Sequence, residues 1–381
     1  MKVHKSVDEK IPGIFQSEMA LWVGIFTALV FFAVGKNWLM DLSNPLKYGF
    51  LFIWLFVVML WLSFGVVRHA DCLAIILGEP YGTLILTLAV ISIEVIMIAA
   101  VMLTGEKNPT LARDTMFSVL MIVLNGMLGL TLLMGGLRHH EQEYSLSGAS
   151  AYLGVLFPLA LLGLVVPRFT TSAPGGQVSI LMAFYLVIMS AGLYTVFLLI
   201  QTTRHSSFFK QPAYAKEDDL AEDDDDHGDL IIRSLGYHAV FLVLTMLPIV
   251  LLSKSMAKLV DHGIVYLQAP QALGGFLVAI LVLSPEGLGA AKAAIANKLQ
   301  RTVNIALGSA LATIGLTIPA VLVISLFTGR AIELGLEPVE IVLLILTLLV
   351  STVNFVTERT NVLKGAVHLI IFISYIILIF D

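Results

Sequence analysis

Apolar stretches of about twenty residues recur through this chain from Ala20 to its last residue, and most polar stretches between them are short. A bilayer hydrocarbon core roughly 30 Å thick requires about 20 apolar residues for each helical crossing. The alternating short segments of a membrane β-barrel are absent, so the crossings are expected to be helices. Only 13% of the 381 residues are charged, and the mean hydropathy is +0.93, which excludes a soluble protein of this length.

The apolar runs predict eleven membrane-spanning helices. The expected spans are residues 18–35, 48–67, 82–103, 116–137, 150–167, 178–200, 236–253, 268–296, 300–328, 335–356 and 363–380. The eighth and ninth runs are longer than one crossing requires, which favours helices that are bent, unwound or partly outside the membrane. The first run lacks a secretory cleavage site, so a permanent span is favoured over a signal peptide.

Positive charge and cysteine content set further limits. With the N-terminus inside, 14 of the 22 Lys and Arg residues fall on the inner side and 8 on the outer side. This asymmetry predicts an inner N-terminus and an outer C-terminus. Cys72 is the single cysteine, so an intramolecular disulfide and a thiolate metal site are excluded.

One long polar stretch, from Gln201 to Ser234, divides the chain into two membrane halves. Its strongly acidic centre is expected to be a solvated spacer, because like-charge runs are usually disordered; the alternative is a block that binds cations loosely or senses their concentration. The expected organisation is an N-terminal arm and extra span over 1–36, a first five-helix repeat over 37–200, an acidic cytoplasmic linker over 201–235, and a second five-helix repeat over 236–381.

The number of spans predicts an inverted repeat. Once the first span is set aside, five spans precede the linker and five follow it. Five is odd, so the second unit enters the membrane from the opposite side, as in transporters whose pseudo-two-fold axis lies in the membrane plane. Such symmetry predicts a substrate site near the bilayer middle and equivalent polar groups at equivalent depth in both halves.

Glu94 and Glu286 meet this expectation, because each lies in the second span of its unit. Glu94 is placed near the middle of the bilayer if its span is a regular helix. An ionised carboxylate at that depth costs at least about 2.5 to 3.5 kcal/mol unless it faces a wet cavity or a cation. We therefore expect both residues to bind cations and protons. The alternative for Glu94 is a protonated side chain bonded to a neighbouring helix.

Glu286 lies in a helix-breaking context. Pro285 removes one backbone donor, and Gly287 and Gly289 loosen the helix on the other side. Freed carbonyls beside a carboxylate offer the hard oxygen ligands that Ca²⁺ and Na⁺ prefer. The alternative is a kinked helix that serves packing alone.

Two such carboxylates explain coupled exchange by competition. Each can hold a proton or help to ligate a metal ion, and the two occupancies exclude each other electrostatically. One Ca²⁺ exchanged for two H⁺ would be electroneutral at the site. Alternating exposure of the site to the two membrane faces would turn this competition into transport.

Other polar residues of the spans are expected to contribute to the cation site at second rank. This set is Ser284, Pro285, Thr87, Ser309 and Asn125, with Ser92, Ser118, Asn304 and Thr313 as further candidates. Ser284 is favoured because it adjoins the Pro-Glu pair. For any one hydroxyl, a hydrogen bond to its own helix backbone or to a neighbouring helix is the alternative.

The chain lacks the motifs of several enzyme classes. No phosphate-binding glycine loop, H-E-x-x-H or G-x-S-x-G motif occurs, so a secondary transporter is expected in place of an ATP-driven pump or intramembrane protease. No cofactor and no nucleic-acid partner is expected. The expected partners are inorganic cations, protons and the lipid bilayer, and the oligomeric state is left open. His139 and His140 are expected to be incidental loop residues, with a cytoplasmic pH sensor as the alternative.

Particular segments resemble a known family. Residues 135–144, GGLRHHEQEY, resemble the G-G-L-R-x-x-E-Q segment of calcium/proton exchangers, and residues 353–366 resemble their V-N-F…T-N-W-L-E-G stretch. Residues 78–82 and 284–289 resemble a bacterial branch of sodium/potassium/calcium–proton antiporters. The chain is therefore identified as a member of the calcium/cation antiporter superfamily, of the calcium/proton exchanger type.

The resemblance implies an all-α integral membrane protein in which Glu94 and Glu286 are the cation and proton ligands. Typical calcium/proton exchangers carry G-N-x-x-E around each acid, whereas no Asn precedes either acid here, and the usual G-S-x-x-S-N is not found near Ser118. Fewer side-chain oxygens then surround the ion, which favours Na⁺ or K⁺ transport beside or in place of Ca²⁺.

The sequence thus predicts an antiporter in a bacterial inner membrane that extrudes Ca²⁺ and/or Na⁺, with K⁺ as a further substrate, in exchange for H⁺. Two alternatives are retained. The same carboxylates can form the constriction of a cation-selective channel. The chain can also be a regulatory membrane protein without exchange activity, whose acidic linker acts on a partner.

Overall fold

The computed structural model describes residues 13–78, 81–104, 109–212 and 230–381, and these are almost entirely helical. The long helices are α1 Met19–Trp38, α2 Pro45–Leu77, α3 Tyr81–Thr104, α4 Leu111–His139, α5 Leu146–Phe169, α6 Ile180–Arg204, α7 Leu235–Tyr266, α8 Ala272–Ile295, α9 Leu299–Thr328, α10 Pro338–Asn354 and α11 Val362–Phe380. Within this part of the chain, nine are long and apolar enough to cross a membrane, and α3 and α10 contribute shorter apolar segments.

The protein is therefore an all-α integral membrane protein, and the eleven expected spans correspond one to one with α1–α11. Several observed helices are longer than predicted, since α2 and α7 extend well beyond the apolar runs 48–67 and 236–253. Large apolar side chains cover the outside of the molecule, as expected for a surface in contact with lipid; Phe32 is 90% exposed and Phe327 is 88% exposed.

Local sequence explains where these helices begin. The Asn44 side chain accepts hydrogen bonds from the backbone N–H groups of Leu46 and Lys47, and Pro45 occupies the first position of α2. Glu337 and Glu340 form a capping box at the start of α10. Side-chain caps also begin α5, α6, α7 and α11, at Ser145, Ser179, Ser234 and Asn361.

Short elements connect the long helices. The strands β1 Gln142–Glu143 and β2 Arg359–Thr360 pair antiparallel, which joins the 135–144 and 353–366 segments. The side chain of Arg359 adds an ion pair to Glu143 with an N–O distance of 2.8 Å. The remaining short elements are the helical turns Ile14–Ser17, Pro174–Gly176 and Ser206–Phe209.

The helices after α1 form two inverted five-helix repeats, α2–α6 and α7–α11. Contacts recur in equivalent pairs, and the first helices of the two repeats, α2 and α7, pack against each other. Helix α8 packs along α4, and its counterpart α3 packs against α9. The C-terminal half of α4 contacts α11, and the C-terminal half of α9 contacts α6. The extra helix α1 packs against both α2 and α7. We call the side on which residues 201–234 connect the repeats the linker side of the molecule, and the other the far side.

Two separate apolar clusters form the interior. One is built mainly from α4, α5, α9, α10 and α11, and the other mainly from α1, α2 and α7. Helices α3 and α8 contribute to both clusters. Helix α3 places Ile91 in the first cluster and Ile93 in the second, and α8 places Leu283 in the first and Val282 in the second. The two helices that carry the predicted glutamates therefore lie at the boundary between two packed bodies.

Helix α8 differs from the expectation of an unwound segment. It is continuous from Ala272 to Ile295 with Pro285 inside it, so helical hydrogen bonding resumes around the proline. Segments of π-helix occur instead in α1, α4, α5, α6 and α9, and two of them lie in the helices that follow the glutamate-bearing helices. Residues Ile122–Met127 in α4 and Thr313–Thr317 in α9 are π-helical, at equivalent places in the two repeats. Such segments widen a helix locally and often occur at functional sites.

The crossing of α4 and α11 depends on glycine. A Cβ atom at Gly365 would lie 2.5 Å from the backbone nitrogen of Leu133 and 2.8 Å from the carbonyl oxygen of Gly129. A Cβ atom at Gly129 would in turn lie 2.9 Å from the backbone nitrogen of Leu369. Only residues without a side chain permit this approach, which is how helices commonly pack in membranes.

We predict that Gly365→Ala destabilises the protein by about 1 to 3 kcal/mol, because the added methyl group overlaps rigid backbone and forces α4 and α11 apart. Gly154→Ala is the matched control, since no atom lies within 4 Å of its added Cβ. Thermal unfolding in detergent should show a lower apparent Tm for Gly365→Ala alone. Equal Tm values for both variants would contradict the proposed crossing.

Candidate cation and proton site

Glu94 lies near the middle of α3 and is 1% exposed. One carboxylate oxygen, Oε2, accepts a hydrogen bond of 3.0 Å from the Thr313 hydroxyl on α9. The other oxygen, Oε1, is buried without a hydrogen-bond partner. Thr317 faces the same carboxylate from one turn further along α9, and its buried hydroxyl makes no hydrogen bond.

Glu286 occupies the equivalent place on α8. The residue as a whole is half-buried, but its Oε2 atom is buried and has no hydrogen-bond partner. The hydroxyl of Ser309, also on α9, lies against this carboxylate. Asp71, on the linker-side half of α2, is close enough to act on Glu286 electrostatically.

One face of α9 brings the two acids together. Ser309, Thr313 and Thr317 follow each other at intervals of four residues, which places their side chains on one side of the helix. Ser309 faces Glu286 and Thr313 binds Glu94, so the two carboxylates lie against successive turns, about 6 Å apart along the helix axis. Glu286 is close enough to act on the charge of Glu94.

This arrangement leaves two carboxylate oxygens buried and unsatisfied. An unpaired buried carboxylate oxygen is unfavourable by several kcal/mol when the group is charged, so such atoms are rare without a ligand. A proton on either glutamate, or a cation between the two, removes the penalty. The donor set is entirely oxygen, from two carboxylates and three hydroxyls, which suits alkali and alkaline-earth cations.

The donor set is sparse for a tightly held metal ion. No group of three or more His, Cys, Asp or Glu side chains in the described ranges is arranged to hold one. Glu94 and Glu286 would hold a cation together with hydroxyls, water or backbone oxygens. Weak, incomplete coordination suits an ion that must enter and leave during transport.

Only some of the second-rank residues lie at a glutamate in the structure. Ser309 lies at Glu286, whereas Thr87 faces Tyr194 and not Glu94. The Ser284 hydroxyl donates a hydrogen bond of 2.5 Å to the carbonyl oxygen of Ile280 in its own helix. Pro285 is buried inside the continuous helix α8.

Asn125 lies in the π-helical part of α4 but is held by other helices. Its Nδ2 donates to the Thr347 hydroxyl on α10 at 2.8 Å, and its Oδ1 lies 3.1 Å from Nδ1 of His368 on α11. The further candidates Ser92 and Ser118 bond to carbonyl oxygens of their own helices, and Asn304 donates to the Phe209 carbonyl oxygen.

Three buried residues, one beside Glu94 and two beside Asn125, were not among the second-rank set or further candidates. Thr317 could have been found, because the four-residue spacing from Ser309 and Thr313 is visible in the sequence. Thr347 and His368 carried no such signal, since their contacts to Asn125 join residues more than 200 positions apart in the chain.

Charged contacts on the far side join the start of α4, the end of α5 and the start of α10. Arg113 at the start of α4 contacts Asp114 with an Nε–Oδ1 distance of 2.8 Å and donates to the Gly335 carbonyl oxygen at 3.1 Å. Arg168 forms a two-pronged ion pair with Glu337 at 3.1 and 2.8 Å. These contacts hold the loop before α10 against the start of α4 and the end of α5.

Comparisons with known proteins identify this architecture. A family model described as "Sodium/calcium exchanger protein" matches residues 47–203 and 237–380, which are the two repeats. The Escherichia coli (strain K12) "Sodium-potassium/proton antiporter ChaA" is 44% identical over 318 residues, 84% of this chain and 85% of that protein. A Sinorhizobium fredii protein described as "Putative ionic transporter y4hA" is 43% identical over 316 residues, 83% of this chain and 84% of that protein.

Solved structures share the same fold. A structure titled "Structure of native YfkE" superposes with a TM-score of 0.71 at 18% identity and covers 96% of this chain and 99% of that chain. A structure titled "Crystal Structure of H+/Ca2+ Exchanger CAX" gives a TM-score of 0.59 at 14% identity and covers 94% of this chain and 89% of that one.

The fold, with two inverted repeats and a buried carboxylate on the second helix of each, defines a secondary transporter of inorganic cations. The chain belongs to the sodium/calcium exchanger protein family, within the calcium/cation antiporter superfamily and of the calcium/proton exchanger type. The family resemblance of the 135–144 and 353–366 segments is thereby confirmed.

We predict that Thr313→Val lowers the stability of the protein by about 1 to 3 kcal/mol at alkaline pH, because both oxygens of Glu94 are then buried without a donor. Thr313→Ser should restore most of the loss. The control is Thr195→Val, since the exposed Thr195 hydroxyl bonds only to the Ala191 carbonyl oxygen of its own helix. Apparent Tm values in detergent at pH 8 and above test this difference. A Thr313→Val variant as stable as Thr195→Val would contradict it.

Proposed function

We propose that the protein is a secondary antiporter that extrudes Ca²⁺ and/or Na⁺, with K⁺ as a further substrate, in exchange for H⁺. One observation carries this proposal: two buried carboxylates from oppositely oriented repeats lie against successive turns of α9, and each has an unpartnered oxygen. A group of this kind must bind either a proton or a cation while it is buried.

The exchange follows from that requirement. With both glutamates protonated, each acid can bond to hydroxyls of α9 without a buried charge. Release of the protons leaves two negative charges, and an arriving cation compensates them. An empty and charged site is unfavourable when enclosed, so the site changes its exposure with either protons or cations bound, which is the condition for antiport.

The two packed bodies supply the movement. The α1–α2–α7 cluster is separate from the cluster of α4, α5, α9, α10 and α11, and the glutamate-bearing helices lie between them. A relative shift of the bodies would expose the site first to the linker side and then to the far side. A cavity lined by Met97, Leu111 and Asp261 lies one turn of α3 from Glu94 toward the far side.

We place the protein in a bacterial inner membrane, with its N-terminus and acidic linker in the cytoplasm. The distribution of Lys and Arg between the two sides supports this orientation. Extrusion then uses the inward proton gradient. The similarity to the Escherichia coli sodium-potassium/proton antiporter and the sparse oxygen donor set favour monovalent cations among the substrates.

We predict that Glu94→Gln and Glu286→Gln each abolish cation/proton exchange, because an amide retains the shape of the side chain but neither ionises nor neutralises a cation. Proteoliposomes with a fluorescent pH dye inside measure the proton movement that an imposed cation step drives. The matched control is Glu358→Gln, since the Glu358 side chain is exposed and lies in the loop before α11. Exchange that survives in either variant would refute the assigned roles.

We predict further that the same proteoliposomes exchange Na⁺ and K⁺ for protons as well as Ca²⁺, with rates that depend on the pH gradient. A cation flux that ignores an imposed pH gradient would instead identify a channel. If the protein instead regulates a partner through its acidic linker, that regulation should persist after Glu94→Gln. Such a result would identify a membrane protein without exchange function.

A further inference from the structure

A buried chain of hydrogen bonds joins three helices on the linker side, away from the glutamates. Its centre is the contact between His69 on α2 and His238 on α7, whose Nδ1 atoms lie 3.0 Å apart. The two rings are 0% and 2% exposed. At one end, Nε2 of His69 lies 3.1 Å from Oε2 of Glu18, which precedes α1. At the other end, Nε2 of His238 accepts the backbone N–H of Arg233 at 2.9 Å.

These partners assign the protons of both rings. The backbone N–H of Arg233 is a donor, so Nε2 of His238 is unprotonated and its Nδ1 carries the hydrogen. Nδ1 of His69 must therefore accept, and Nε2 of His69 carries the hydrogen that it donates to Glu18. Nη2 of Arg68 lies 3.3 Å from the same Nε2, and with this tautomer it donates to Glu18 and not to the ring. The chain runs in one direction, from Arg233 through His238 and His69 to Glu18, and both rings are neutral.

A further proton cannot be added without breaking this chain. Protonation of His238 at Nε2 removes the acceptor of the Arg233 N–H group. Protonation of His69 at Nδ1 places two N–H groups against each other across the 3.0 Å contact. Either event creates an unsatisfied donor and a buried positive charge, so the hydrogen bond between the two rings is lost and the rings are driven apart.

The charged groups around the pair act in opposite directions, because an anion favours protonation of the rings and cations oppose it. Glu18 is the anion that faces the rings, whereas Arg68 of α2 and Arg233 before α7 are both cations. Tyr237 of α7 adds a hydroxyl that donates to Glu18 at 2.5 Å, and Arg68 contacts the same carboxylate at 2.5 Å. Burial raises the pKa of Glu18, but hydrogen bonds from His69 and Tyr237 together with the Arg68 charge hold it at about 2. The anion thus stays charged across the range in which histidine titrates.

The hydrogen-bond chain lies in helices that pack against the two glutamate-bearing helices. Helix α1 packs on both α2 and α7, and these two helices pack against α3 and α8, which carry the glutamates. Arg233 also ends the acidic linker, and its guanidinium lies 4.9 Å from the ring centre of Tyr237. A break between His69 and His238 therefore loosens the junction of α1, α2, α7 and the linker at one point.

We propose that the His69–His238 pair is a regulatory proton-binding site, distinct from the exchange site, through which acid on the linker side opens the junction of α1, α2 and α7. The effect on exchange rests on the proposed function: exchange slows when the junction opens, because α2 and α7 no longer hold α3 and α8 in place. An antiporter that imports protons would thereby stop when the linker side becomes acidic.

Two substitutions at His238 give opposite outcomes. In His238→Gln the amide can accept the Arg233 N–H and donate to His69, but it cannot take up a proton, so the junction should stay closed. In His238→Phe the ring packing remains while both hydrogen bonds are lost, so the junction should be open at every pH. His140→Asn is the control, since His140 is exposed on the same side and its left-handed backbone (φ 62°) suits Asn.

The natural reporter is Cys72, which lies on α2 close to Arg68 and Glu18 and is 1% exposed. Its rate of alkylation by N-ethylmaleimide in detergent, divided by that of a free thiol at the same pH, measures opening without any exchange assay. For the unsubstituted protein and His140→Asn, we expect this ratio to rise about five-fold or more between pH 7.5 and 5.5, the range in which histidine titrates. His238→Gln should show no rise, and His238→Phe should show the high value throughout.

A parallel measurement of exchange completes the test. The rate should fall on acidification of the linker side several-fold more in the unsubstituted protein than in His238→Gln. An equal rise in Cys72 alkylation for His238→Gln and the unsubstituted protein would overturn the proposal, and this comparison stands even if His238→Phe does not fold. Alkylation that follows the prediction in a protein without any exchange would refute the proposed function and leave the proton site intact.

Discussion

Two carboxylates that are buried with an unpaired oxygen each are the constraint on which the rest of the structure depends. An apolar bundle of this size does not need Glu94 or Glu286 for packing, and each would destabilise it if charged and alone. The bundle tolerates them because α9 offers three hydroxyls at four-residue spacing, and because a proton or cation can complete what the protein leaves open. The symmetry of the two repeats ensures that the acids arrive at the same depth from opposite directions.

The second constraint is the division of the interior into two large apolar clusters. Close packing makes each cluster rigid, and α3 and α8 lie where the two clusters meet. On the far side Arg113 and Arg168 both pair with Glu337, and on the linker side the hydrogen-bond chain runs from Arg233 through the two histidines to Glu18. Contacts of both kinds depend on charge, whereas the apolar clusters do not.

Much of the candidate site could be predicted from residue type and position in the sequence. A carboxylate inside a long apolar run is conspicuous, and the two-repeat arithmetic pairs Glu94 with Glu286. The second-rank residues were harder to assign, because a hydroxyl in a helix can serve its own backbone as readily as a ligand. Ser284 does the former and Ser309 faces a glutamate, although Ser284 adjoins Pro285 and Glu286 in the sequence. Pro285 suggested a break that the continuous helix α8 does not contain.

The sequence by itself determined the class of the molecule. The length of the apolar runs, the charge asymmetry and the number of spans are properties of the chain, and they fix how it inserts into a bilayer. It also determined which acids require an explanation. Only the tertiary structure decided which hydroxyls meet them, that α4 and α9 each contain a π-helical segment, and that His69 meets His238 across 169 positions of the chain. These outcomes depend on the rotation and crossing of helices, which are set by packing between distant segments and leave no local pattern in the sequence.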